Sequence, residues 1–247
     1  MSRGLGDVYK RQINTFSSDL VKYISSELSN AGKQSAELDR TFPTRLVTRL
    51  KANKNYKSDD LISDLEQLES LRNKLAEVGF LDKIDINIED LLKEQTNNRI
   101  LMNVIKLYIK DSQEKLEKYK KAADKASLFL RIINSRLKSK KLRIDTERGF
   151  VVESLRTTDN EEIKVDELSS GEQNEIVLFY DLIFNCDKCS LVLVDEPEIS
   201  LHLEWLQQML GDFKDIVEQN GMKMLIATHS PDFVGDNYDL VQNLTYE

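Results

Sequence analysis

Three short runs of the sequence carry residue types that phosphate chemistry uses. Leu191-Val192-Leu193-Val194-Asp195-Glu196-Pro197-Glu198 sets four apolar residues before an acidic pair. It reads as a strand buried on both faces, with two carboxylates at its C-terminal tip. That tip is where open α/β sheets bind ligands. On an extended segment Asp195 and Glu196 point opposite ways, one toward a metal shell and one toward an attacking water. Phosphoryl transfer needs both metal placement and water orientation. Upstream, Ser169-Ser170-Gly171-Glu172-Gln173 has the spacing of a capping box, Ser169 accepting from the Glu172 amide and Glu172 reaching back to the Ser169 amide. A helix start with a glycine and hydroxyls is also an anion site. Downstream, Met224-Leu225-Ile226-Ala227 reads as a second buried strand, which brings His229 to the same edge as Asp195.

The elements that must position these runs alternate. A helix over 172–185, a strand over 190–195, a helix over 201–218 and a strand over 223–228 make the pattern of a parallel sheet with flanking helices. Before them the period is two: Leu142–Asp145 and Phe150–Val152 read as a β-hairpin with Gly149 in its turn, and Ile163-Lys164-Val165 follows a second polar turn. Residues 13–138 read as a helical subdomain and 139–247 as the α/β part. In the helical part, Phe16, Leu20, Tyr23, Ile24 and Leu28 keep a helical period, which Phe42-Pro43 is expected to break. Thr44 would cap a short helix with Leu46, Val47 and Leu50; Ser58-Asp59-Asp60 would start another, stopped by Gly79. The longest helix is expected from about Asn97 to Leu137. The basic run Arg136–Arg143 after it fits either cations at a helix C-terminus or a phosphate-backbone contact.

Composition narrows the class. No run of eighteen apolar residues exists, so no spanning helix is expected, and the first residues carry no secretory signal. Two cysteines, Cys186 and Cys189, fit a reducing cytoplasm; zinc needs four ligands and no second pair is present. A net charge of −8 does not advertise nucleic-acid binding over the whole surface. Residues 2–12, Ser-Arg-Gly-Leu-Gly-Asp-Val-Tyr-Lys-Arg-Gln, resemble the translation of a transposase adapter used in sequencing libraries, so residues 1–12 are expected to stand outside the fold.

In this order, over about sixty residues, the three runs resemble the C-terminal lobe of the ABC-type ATPases: signature motif, Walker B with its adjacent glutamate, and H-loop histidine. The resemblance implies ATP and Mg²⁺ as cofactors. It assigns Asp195 to Mg²⁺ through water, Glu196 to the hydrolytic water and His229 to the γ-phosphate. The signature Ser169, Ser170, Gly171, Glu172 and Gln173 would meet the γ-phosphate held by a second protomer, chiefly through Ser169 and Gly171. Glu198-Ile199-Ser200-Leu201-His202 resembles the D-loop that crosses the dimer interface, with Ser200 a candidate contact. Ser-Ser-Gly-Glu is more similar to RecF/SMC-type repair and chromosome ATPases than to the transporters' Ser-Gly-Gly-Gln. Leu38–Pro43 is similar to bacterial AAA-type ATP-binding proteins, some of which serve in phage defence. The resemblance therefore implies a cytoplasmic ATPase that forms a head-to-tail homodimer through ATP, with a partner nuclease, another effector or DNA under its control.

One family part is not found. The family's N-terminal lobe carries the P-loop G-x-x-x-x-G-K-[ST], whose backbone amides wrap the phosphates, and the Q-loop. No such P-loop occurs here; Gly32-Lys33-Gln34-Ser35 has Glu27 where the first glycine should stand and reads as surface helix. The expected fold is thus the C-terminal lobe of a P-loop ABC-type ATPase preceded by a long helical insertion, with the Walker A lobe absent and this chain inactive by itself. The alternatives are a non-hydrolysing ATP-gated scaffold and a transporter nucleotide-binding subunit.

Overall fold

The computed structural model describes residues 5–52, 56, 58–82, 98–156, 161–186, 190–198 and 203–242. The chain divides into two compact units. One holds residues 17–127 and 143–150; the other holds 1–16, 128–142 and 151–247. The division falls inside helices and inside the hairpin.

Among its described residues the first unit holds the helices α1 (Leu5–Lys51), α2 (Ser58–Glu77) and α3 (Arg99–Arg136), of which α1 and α3 run on into the second unit. Leu20, Ile24, Leu61, Leu65, Leu68, Leu75, Ile105 and Ala123 are buried in its core, as their helical spacing predicts. α2 ends as expected. Gly79 takes φ +79°, its amide donates to the Ala76 carbonyl at 3.1 Å, and the Phe80 amide donates to the Leu75 carbonyl at 2.9 Å. That is a Schellman stop.

The expected break at Pro43 does not occur, and the short helix expected from Thr44 is the continuation of α1. α1 also starts earlier than Phe16, taking in Leu5–Gln12, with Tyr9 and Lys10 half-buried. Proline removes an amide and leaves a carbonyl of the preceding turn short of its donor. The carbonyl so left is that of Asp39; in the same turn, Thr41 Oγ1 donates to the Glu37 carbonyl at 2.9 Å and Arg45 Nη2 to the Leu38 carbonyl at 2.7 Å. Arg45 is itself held by both oxygens of the buried Asp111 on α3. The helix thus continues through Pro43, and a tertiary ion pair braces the turn that follows it. Gly32 lies exposed in mid-helix, as surface helix should.

The hairpin forms as read: β1 (Lys140–Asp145) and β2 (Gly149–Ser154) lie beside β3 (Glu162–Ile163), with β2 and β3 antiparallel. Gly149 has φ +80°, and a Cβ there would sit 2.2 Å from Ser17 Oγ, so the turn admits glycine alone. Ser17 Oγ in turn accepts from the Phe150 amide at 2.8 Å.

In the second unit, α4 (Ser170–Tyr180) continues as a π-turn over Asp181–Asn185. The π-turn's Leu182 and Ile183 carbonyls are met by Asn220 Nδ2 at 2.9 and 3.0 Å. Tyr180 stacks between Phe16 and Phe184, and Phe129 meets it edge-on. β4 (Leu191–Asp195), α5 (Leu203–Asn220), β5 (Lys223–Ala227) and the short α6 (Pro231–Val234) complete the unit. β4 and β5 pair in parallel, Asp195 opposite Ala227.

These strands are not buried on both faces. Leu191, Leu193 and Leu225 are 63%, 69% and 64% exposed, all on one face. Apolar runs signal two covering layers, but among the described residues only the face bearing Val192, Val194, Met224 and Ile226 is partly covered. The observed architecture is a helix-rich α/β chain with two small sheets.

Candidate functional site

The signature run sits where a helix start is best prepared for an anion. Ser169 caps α4 with both bonds of the capping box: its Oγ accepts from the Glu172 amide at 3.3 Å, and its own amide donates to Glu172 Oε2 at 2.7 Å. The Gln173 amide donates to the Ser169 carbonyl. The amides of Ser170 and Gly171, at the first two helical positions, are therefore those that face an incoming acceptor. Ser169 and Ser170 are exposed. A carboxylate in the first turn would repel a phosphate, but Lys140 Nζ lies 2.9 Å from Glu172 Oε2 and neutralises it. Burial works to raise the Glu172 carboxyl; Lys140 and the Ser169 groups outweigh it and hold the carboxyl below its ordinary value. Gly171 is free of crowding: a Cβ there would lie 3.7 Å from the Trp205 ring, an ordinary contact. Packing within the chain does not demand that glycine, whereas close approach of a ligand to the backbone would. Gln173 points inward, buried, donating to the Leu168 carbonyl at 2.9 Å.

The second cluster lies at the C-terminal ends of β4 and β5. Glu196 is not on an extended segment, as the sequence suggested. It follows the last residue of β4 with φ +43°, while its amide still donates to the Ala227 carbonyl at 2.9 Å. A glutamate in the left-handed region is strained, and such strain collects at functional sites. The turn aims its carboxylate across the strand pair, where Oε1 stands 3.8 Å from Nε2 of His229. His229 is 93% exposed, open to a ligand from outside. Asp195 occupies the exposed tip of β4. One or two carboxylates are what Mg²⁺ uses when phosphate and water supply its other ligands. Among the described residues no group of three acidic, histidine or cysteine side chains is placed to hold a metal ion.

Ser200 and His202 lie outside the described residues, as does Cys189. Sequence reasoning placed Glu198 in the D-loop-like run without a role of its own and gave Thr228 none. Glu198 Oε1 accepts from Thr228 Oγ1 and, at 3.2 Å, from the His229 amide. The proximity of both to recognised motifs was the available signal. Lys140 and Arg136, from the basic run, are internal partners and not phosphate contacts. Lys140 neutralises Glu172, and Arg136, 2% exposed, reaches Asp212 Oδ2 at 2.6 Å and lies over the Phe179 ring. Its Nε also approaches Glu175 Oε2 at 2.8 Å without the alignment of a hydrogen bond. Burial and the nearby Asp212 push the Glu175 carboxyl up to about 7, against the pull of Arg136.

The chain matches a family and, more distantly, individual proteins. Uncharacterized ABC transporter ATP-binding proteins from two strains of Mycobacterium tuberculosis are 33% identical to it over 94 residues. That match covers 38% of this chain and 36% of theirs, so the chain spans about a third of the length of these curated relatives. The AAA ATPase domain profile matches residues 7–234, nearly the whole sequence and both motif clusters. On that match the chain belongs to the AAA ATPase domain family.

Proposed function

We propose that this chain is the signature-bearing part of an ATP-binding, ATP-hydrolysing protein that works as a nucleotide-gated dimer. The observation that carries this is the convergence of Glu196 and His229 to 3.8 Å at the C-terminal ends of adjacent parallel strands. In this reading Asp195 would hold Mg²⁺, which would supply positive charge against the phosphates. Glu196 orients and polarises the attacking water, its left-handed backbone fixing the carboxylate beside the strand end. His229, presented outward, donates a hydrogen bond to the γ-phosphate. Ser169, Ser170 and the first amides of α4 close over that phosphate from a second protomer, at the positive end of a helix whose own carboxylate is neutralised.

The phosphate-wrapping loop is supplied by polypeptide outside this sequence, because no G-x-x-x-x-G-K-[ST] run occurs within it. Two further observations support that reading: the match to ATP-binding proteins and the apolar face of β4 and β5, which is exposed among the described residues. The chain alone then holds ATP weakly and turns none over. The Ser-Ser-Gly-Glu signature supports DNA-directed work of the RecF/SMC kind, in repair or phage defence, in the cytoplasm and with a nuclease or DNA as the controlled partner.

The test uses the protein completed by its phosphate-loop lobe. Glu196→Gln keeps the reach and removes the charge, so turnover should fall by the roughly 10²–10⁴-fold typical of a lost general base. ATP should then hold a lasting dimer in sedimentation, and Ser169→Arg should abolish it. Unchanged turnover in Glu196→Gln would refute the catalytic assignment. A non-hydrolysing scaffold is the competing reading, favoured by the 93% exposure of the His229 side chain. Negligible turnover in the parent together with an ATP-dependent dimer would select it.

A further inference from the structure

The turn after β5 is held by a residue on the other strand's loop. Glu198 stands two residues past Glu196, in the turn that leaves β4. One of its oxygens, Oε1, accepts from the Thr228 hydroxyl and from the His229 amide at 3.2 Å. Thr228 Oγ1 meanwhile accepts from the Ser230 amide at 3.0 Å, and Ser230 Oγ accepts from the Phe233 amide at 3.3 Å, capping α6. One carboxylate oxygen thus heads a chain of bonds that sets the whole turn from Thr228 to Phe233.

This is not an arrangement that stability alone would select. Among the described residues the other oxygen, Oε2, is buried with no hydrogen-bond partner. An unmet buried carboxylate oxygen is a cost to the fold. Residues that break the rules of packing in this way are expected where position matters more than stability. What the bonds fix is the spacing of two backbones that carry the site: Glu196 on one, His229 on the other.

We propose that Glu198 is a positioning residue that ties the His229 turn to the loop carrying Glu196, holding His229 Nε2 within reach of the Glu196 carboxylate. The inference rests on the ATPase reading for its consequence, but not for its geometry. The tie acts through acceptor bonds at one oxygen, so glutamine, which keeps that oxygen, should preserve it. Alanine should lose it. Thr228→Val, which removes the hydroxyl but leaves the carboxylate, should lose the link to Ser230 and loosen the same turn; Thr228→Ser should not.

Two measurements test this separately. On the 247-residue chain, NMR should show the His229 amide proton shifting upfield and exchanging at least about tenfold faster in Glu198→Ala than in the parent. Glu198→Gln and Thr228→Ser should resemble the parent, and Thr228→Val should resemble Glu198→Ala. An unshifted, equally protected His229 amide in Glu198→Ala overturns the proposal. So does loss in Glu198→Gln equal to that in Glu198→Ala. If Glu198→Ala fails to fold, the Thr228→Val and Thr228→Ser pair decides on the same readout. On the completed ATPase, Glu198→Ala should lower kcat about 10–100-fold, the range seen when a supporting bond behind a reactive group is lost. KM for ATP should stay within about twofold, and Glu198→Gln should restore kcat. A KM rise with kcat intact in Glu198→Ala would overturn the positioning role. No turnover in the parent would count against the ATPase reading, while the amide data would still decide for or against Glu198.

Discussion

The buried triad of Arg136, Glu175 and Asp212 supplies the most quantitative prediction. Two carboxylates share one guanidinium in a site where Arg136 and Glu175 side chains are 1% and 2% exposed. Arg131, at 3.5 Å, and Asp215, paired with Arg131, complete the charges around Asp212. Burial is the main reason that the Glu175 carboxyl rises from its ordinary 4.5 to about 7. The folded protein therefore keeps a proton between those pH values that the unfolded chain has released. Stability from this group is full below pH 4.5 and is lost as pH rises to about 7. At about 1.4 kcal/mol per pH unit the whole effect is about 3 kcal/mol, of which about 2–3 kcal/mol falls between pH 5 and pH 8.

Glu175→Gln keeps the shape of the protonated form and cannot ionise. Other groups titrate alike in parent and variant, so their difference isolates Glu175. The variant should match the parent near pH 5 and become more stable than it by about 2–3 kcal/mol at pH 8, roughly 5–10 °C in Tm for a chain of this size. Urea unfolding followed by the fluorescence of Trp205, the sole tryptophan and a buried residue of the same unit, reads this directly. A parent–variant difference that stays constant within about 0.5 kcal/mol from pH 5 to pH 8 would show that Glu175 is ionised throughout, its pair with Arg136 outweighing burial.

Two predictions concern the helical unit. Gly79→Ala should cost more than about 2 kcal/mol in denaturant unfolding, because φ +79° disfavours any side chain and the new Cβ would fall 2.4 Å from the Ile144 carbonyl oxygen; a loss below about 1 kcal/mol would mean that the stop is not held there. Arg45→Met should cost about 3 kcal/mol, since it strands the buried Asp111 carboxylate. Circular dichroism should show helix lost with it, and an unchanged spectrum and midpoint would refute the brace on the turn after Pro43.

The sequence by itself determined the local pieces. Ser169 and Glu172 form their capping box because the spacing of serine and glutamate alone sets it. Gly79 and Gly149 stop a helix and turn a hairpin because backbone angles there admit little else. Periodicity placed α2, α3, β4 and β5 within a few residues, since each depends on neighbours three, four or two positions away. What the sequence could not show was decided by residues distant along the chain. Pro43 reads as a breaker, yet α1 continues through it, and Arg45 in the turn that follows reaches Asp111, 66 positions on. The basic run fits either a helix C-terminus or a phosphate contact, and the partner of Arg136 within it, Asp212, lies 76 positions on. Apolar runs at Leu191 and Leu225 read as doubly buried, yet burial belongs to the layers packed on a strand and not to the strand. Glu196 and His229 were both legible as candidates. Their approach to 3.8 Å, and the bonds of Glu198 that join their loops, arise from the pairing of β4 with β5 and the left-handed turn between. Residue type and spacing are carried along the chain, whereas charge compensation and approach between loops exist only once the chain has folded back on itself.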